Sequence, residues 1–253
     1  MLGQALWWSG IALETLLLVQ GFRTKLLGRY RVFYAYVLFV WAQSLLRFSV
    51  YHLRPEFYVP TYWITEFFGL LIGCAVVFEI YRVGLSTYPG TARMARNALA
   101  FVFVLAFTKG IVVTWNNPHW WSFATTMDLE RALRTVQAVA IATLVALFLF
   151  YAIPFGRNLR GVLLGYGLFI GESVIWLTFV SSGGEKFQRF WSYVHPATYF
   201  AVLGIWVVHL GSYSAAPEPK RAVQLEQQYQ RIAATTNARL RDARGYLHRV
   251  VRP

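Results

Sequence analysis

The chain is a succession of apolar stretches of about 20 residues, the length a helix needs to cross a bilayer's hydrocarbon core. Short hydrophilic segments with turn and breaker residues separate them: "RPEFYVP", "STYPGTARMARN", "WNNPHWW", "AIPFGRNLRG" and "SSGGEKF". Hydropathy places seven spans, at about 5–22, 32–52, 61–83, 98–117, 127–153, 160–181 and 192–213. The expected fold class is therefore an all-α membrane protein. A seven-transmembrane-helix bundle occupies 1–213, and a basic amphipathic cytoplasmic tail helix occupies 214–253. Composition agrees: 57% of the 253 residues are hydrophobic and 14% charged, too apolar for an ordinary soluble domain.

Lysine and arginine set the expected orientation, because basic loops resist translocation. Arg23, Lys25, Arg29 and Arg31 follow span 1; Arg82, Arg93 and Arg96 follow span 3; Arg157 and Arg160 follow span 5. All fall on one side, together with the arginine-rich tail. The opposite loops carry chiefly Arg54, Lys186 and Arg189. This predicts an outside N-terminus and a cytoplasmic C-terminus. The start, "MLGQALWWSG", has no basic n-region or small-residue cleavage site, so span 1 is expected to remain.

Most of the net charge of +13 is thus explained by topology, and no nucleic-acid partner is expected. In the tail, Leu225, Tyr229, Ile232, Thr236, Leu240, Ala243, Leu247 and Val250 recur at helical spacing, with arginines on the other faces. Such a helix suits anionic inner-leaflet lipids, or a second copy or complex partner through a short coiled coil. The single cysteine, Cys74, falls within span 3 and excludes an intrachain disulfide.

Small residues four apart mark close helix contacts in lipid: Gly69 with Gly73, Gly161 with Gly165, and Gly167 with Gly171. They predict that spans 3 and 6 are central. Aromatic residues at span ends, among them Trp7, Trp8, Tyr62, Trp63 and Trp191, read as an interfacial belt. Span 5 opens on "TTMDLERALR", where Thr125 and Asp128 suggest a capping box and Glu130 with Arg134 a helical ion pair.

Ionisable residues inside spans usually face the bundle interior and find partners. By depth, Glu14, Arg47, Glu66, Lys109, Arg131, Arg134, Glu172 and His195 all fall in the outer half of the bundle. The inner half has only Glu79, Arg82 and His209. Acids and bases nearly balance in the outer set. They make either a paired structural network or an outward-facing charged cavity for a polar ligand or partner; a proton or ion path is a third reading. Glu79, three residues before Arg82, reads as an interfacial anchor that pairs with that arginine or reaches the headgroups.

Familiar site chemistries find little support. Span 7 lacks the lysine a retinal protein needs. His195 and His209 share a face, as in a haem helix, with His52 as the available partner for His195. His52, His119 and His195 are the candidates for a zinc site on the outer side, with no local metal signature. No catalytic residue and no cofactor are predicted. The expected role is receptor-like or scaffolding; the alternatives are a secondary transporter or proton/ion-coupled carrier, and a membrane subunit of a larger complex, a haem-containing redox complex being one case.

The segments "FYAYV", "YPGTARMARN", "LERALRTVQA" and "YAIPFGRNLRGVLLGYGLFIG" resemble those of an uncharacterised family of bacterial seven-helix integral membrane proteins. The resemblance implies the bundle and a multi-pass location in the bacterial inner membrane. It implies no activity, ligand or site residue.

Overall fold

A computed structural model of the chain describes residues 2–86, 97, 99–105, 108, 112, 123–150, 156–180, 182–214, 231 and 235. Regular structure among them is entirely helical. Among the described residues seven α-helical segments precede the tail: α1 (Leu2–Arg23), α2 (Arg31–Leu53), α3 (Tyr58–Gly84), α4 (99–105), α5 (Phe123–Phe150), α6 (Arg157–Phe179) and α7 (Gly184–Leu210). Five stretches are long and apolar enough to cross a membrane: Gln4–Arg23, Arg31–Leu53, Pro55–Gly84, Arg157–Phe179 and Gly184–Leu210. Large apolar side chains cover the exterior as well as the core, including Phe68, Leu71, Leu164, Ile175 and Val208. An apolar outer surface of this extent marks a membrane protein, for which lipid replaces water around the bundle.

Neighbouring helices pack in the cycle α1, α2, α3, α5, α6, α7 and back to α1. The ring is closed, and α3 and α6 also touch across it. Phe103 of α4 packs on Phe78 of α3, their ring centroids 5.3 Å apart.

Glycines make the close approaches that lipid cannot drive by hydrophobic exclusion. A Cβ on Gly161 or Gly165 would collide with His209 or the Trp206 indole of α7. One on Gly73 would fall 2.5 Å from the Tyr166 hydroxyl of α6, at the crossing of α3 and α6. Gly171 has open space around its Cβ position, so the pair Gly167 and Gly171 does not make the expected contact face. Gly21 admits the ring of Tyr34 between α1 and α2, a contact that no four-residue spacing announces.

Two expectations change. Span 7, expected from about 192, already begins as a helix at Gly184, where φ is +64°, a conformation that favours glycine, so Pro196 lies well inside α7. The hydropathic start at 192 marks where the apolar run begins, and the hydrophilic "EKFQRF" before it is already helical.

The second concerns Glu79, which pairs with Arg82 at 3.3 Å but is buried rather than reaching toward headgroups. Its oxygens accept hydrogen bonds from the backbone N–H groups of Val32 at 3.0 Å and Phe33 at 2.8 Å. These amides open α2, whose own N-cap residue, Tyr30, provides no side-chain cap. A neighbouring helix thus supplies the cap. Burial pushes the Tyr30 hydroxyl up to about 12.

The expected Thr125 and Asp128 cap falls on side chains outside the described residues. Most of the tail lies outside them too. Beyond Ser214 its described residues, Arg231 and Thr235, are helical, with the Thr235 hydroxyl donating to the Arg231 carbonyl at 2.9 Å.

Candidate functional site

A cavity of about 930 Å³ lies within the helix ring and is lined by α1, α2, α3, α5, α6 and α7. Its lining runs from exposed residues, Val59, Gln188, Ser192 and His195, to buried ones, Glu14, Arg134, Glu172 and Trp206. Six of the residues singled out from the sequence line it: Glu14, Arg47, Glu66, Arg134, Glu172 and His195.

The lining contains an ion-pair network centred on Glu66. Its Oε2 accepts from Arg47 Nη2 and its Oε1 from Arg134 Nη2, both at 3.1 Å. Arg134 Nε lies 3.5 Å from Glu130 Oε1, one turn before it on α5. Arg47 is held further by the Thr65 hydroxyl at 2.9 Å, the Tyr62 carbonyl at 3.0 Å and the Tyr62 ring, whose centroid is 4.2 Å from Cζ. With its amide oriented to satisfy both ends, Gln43 accepts from Arg47 and donates to the Thr65 carbonyl at 3.2 Å. Arg134 lies over the Phe169 ring at 4.9 Å. Two arginines and two glutamates cancel in formal charge, and the network joins α2, α3 and α5. Buried charges persist when they are paired and hydrogen-bonded in this way.

Two further carboxylates stand apart from it. Glu172 of α6 accepts from the Trp191 indole at 2.6 Å and lies 2.9 Å from His195 Nδ1, both on α7. With the proton on Nδ1, His195 donates to the carboxylate and its Nε2 is left as an acceptor on an exposed side chain. Trp191 is steadied by stacking on Phe187 at 5.2 Å and Trp176 at 6.2 Å. Glu14 of α1 is 1% exposed and accepts from the Tyr199 hydroxyl of α7 through Oε1. Its Oε2 has no hydrogen-bond partner among the described residues.

The other expected residues fall elsewhere. Arg131 does not line the cavity; its Nε donates to the Leu177 carbonyl of α6 at 2.8 Å, which joins α5 to α6. Lys109 and His119 lie outside the described residues. His52 is exposed, with Nδ1 2.9 Å from the Phe48 carbonyl. Among the described residues no three His, Cys, Asp or Glu side chains converge as a metal site. His209 lies against Gly161, its Nδ1 2.9 Å from the Ile205 carbonyl.

Several cavity residues carry no site signal in the sequence: Tyr36, Gln43, Glu130, Tyr199 and Trp206. Glu130 shows there only its helical pair with Arg134. Uncharged and aromatic residues carry no depth signal of the kind that singles out an intramembrane acid. No family model matches the chain, and neither does any curated protein or solved structure.

Proposed function

We propose that the protein is a seven-span membrane protein with its N-terminus outside and its C-terminus in the cytoplasm. Its role is receptor-like or scaffolding: the cavity faces outward and receives a polar ligand or a polar segment of a partner. The observation that carries this reading is the cavity itself, with an exposed rim and a lining that holds four carboxylates and two arginines. A buried network needs no adjoining space of about 930 Å³, whereas a ligand does. The Glu66 network then acts as the rigid wall of the site, holding three helices at fixed spacing. The basic tail would rest on anionic inner-leaflet lipids or against another chain of a membrane complex.

A tryptophan at Ser44, which lines the cavity, tests this by filling space without removing a charge. Protein purified in detergent should release on denaturation a polar small molecule that Ser44→Trp does not carry. Identical extracts from the two proteins would defeat the reading.

One observation favours a secondary transporter instead. Pro196 interrupts the hydrogen-bond ladder of α7 beside the cavity, and the residue four before it, Ser192, is a lining residue. Flux of the released molecule into liposomes, lost in Ser44→Trp, would select that reading over a receptor or scaffold.

A further inference from the structure

The charges of the cavity are unequally satisfied, and the inequality selects the sign of the ligand. Arg47 and Arg134 are engaged with Glu66 and Glu130, with Arg47 also held by Thr65, Tyr62 and Gln43. Their positive charges are balanced by the two glutamates, although Arg134 Nε, 3.5 Å from Glu130, makes no hydrogen bond among the described residues. Glu172 has an indole and an imidazole as donors. Glu14, buried at 1% exposure, has only the neutral Tyr199 hydroxyl, and among the described residues it has no ion-pair partner. Its Oε2 is a buried acceptor without a donor in a cavity-lining side chain. Leaving such an atom unpaired is costly, more so for a charged group, and a ligand that supplies the donor recovers that cost.

Aromatic rings share the lining with Glu14, including Tyr36, Tyr199 and Trp206. Ring faces attract cations and do nothing for anions.

We infer that the ligand is an alkylammonium ion whose charged nitrogen donates to Glu14 Oε2, with its carbon chain along the aromatic lining. The inference rests on the reading of the cavity as a ligand site and adds the ligand's charge and chemical class. A carboxylate or phosphate ligand would bring no donor to Glu14 Oε2 and would repel it when ionised, and an uncharged alcohol could donate a hydrogen bond but would not balance the charge.

The test compares three molecules of one shape on the full chain in detergent: butylammonium, butanol and butyrate, followed by isothermal titration and by tryptophan fluorescence. Butylammonium should bind and the other two should not. Glu14→Gln should weaken butylammonium at least about tenfold, the usual effect of removing one partner of a buried charge pair. Tyr199→Phe should tighten it, because both Glu14 oxygens then become available, and this variant serves if Glu14→Gln does not fold. Butanol or butyrate binding as well as butylammonium would overturn the assignment of charge and leave the cavity reading standing. Failure of all three to bind would overturn the alkylammonium assignment, while the Ser44→Trp extract comparison decides the cavity reading separately.

Discussion

The carboxylate of Glu79, near the end of α3, accepts a hydrogen bond of 2.8 Å from the backbone N–H of Phe33 in the first turn of α2. The other oxygen does the same for Val32. A helix start buried in the bundle has amides that lipid cannot satisfy, and here a charged group from the adjacent helix meets two of them. The negative charge also lies at the positive end of the α2 dipole.

Glu79→Gln should therefore be among the costly single changes outside the cavity. The amide retains one acceptor, loses the charge and places an NH2 group against a backbone donor. Each hydrogen bond to a charged group contributes about 1.5–3 kcal/mol, so a loss of that order is expected in unfolding of the detergent-solubilised protein. Arg82→Gln should cost under about 1 kcal/mol, because the Arg82 side chain is 64% exposed. Equal losses in the two variants would contradict the capping role.

Glu66 joins two arginines, and its removal leaves Arg134, with 5% of its side chain exposed, to Glu130 alone. Glu66→Gln should destabilise by up to about 3–5 kcal/mol, the range for breaking a buried pair, reduced by the partial exposure of Glu66 itself. Adding Arg134→Gln should cost less than the sum of the two single changes. A coupling of about 1–3 kcal/mol in the double-mutant cycle is expected, and additive losses would show that the pair is not coupled.

The sequence made the helices legible and left their mutual facing obscure, for one physical reason. In lipid the outward face of a span is as apolar as the inward one: Leu149 is 72% exposed while Leu144, five residues earlier, is fully buried. Hydropathic periodicity therefore cannot say which side of α5 faces the ring. Facing is carried instead by small and polar residues, and these were read well where they act locally. Gly161 and Gly165 meet α7, and Glu130 pairs with Arg134 one turn on. They were read poorly where the partner is a backbone atom of another helix, as with Glu79 and the α2 amides or Arg131 and the Leu177 carbonyl. Depth in a span grouped Glu14, Glu66 and Glu172, and all three line one cavity. It could not separate Glu66, with two arginines, from Glu14, with one hydroxyl, because pairing depends on rotation about each helix axis.

The glycines of α6 offer a matched pair of substitutions. Gly165→Ala places a methyl group into the Trp206 indole and should destabilise by about 1–3 kcal/mol, as overpacking does. Gly171→Ala meets nothing and should leave stability unchanged or raise it, by up to about 1 kcal/mol from helix propensity. Thermal unfolding of both variants in one detergent reads the difference, and equal behaviour would show that α6 and α7 do not approach through Gly165.

Asn158 ties the start of α6 to the end of α7. It is 1% exposed, and its Nδ2 donates to the carbonyls of His209 at 2.8 Å and Ser212 at 2.7 Å. Its Oδ1 accepts from the Ser214 amide at 2.7 Å. All three bonds serve backbone groups where α7 ends, including carbonyls that have no further helical turn to bond to. Asn158→Asp keeps the acceptor but removes both donors and sets a carboxylate against two carbonyl oxygens. Asn158→Leu keeps the branching of the side chain and removes all three bonds. Both should destabilise, and Asp should be the worse at neutral pH, because repulsion adds to the lost bonds. Lowering the pH protonates the aspartate and restores one donor, so the gap between the two variants should close in acid. Unfolding curves at neutral and acidic pH check this; a gap that does not narrow would place the residue away from those carbonyls.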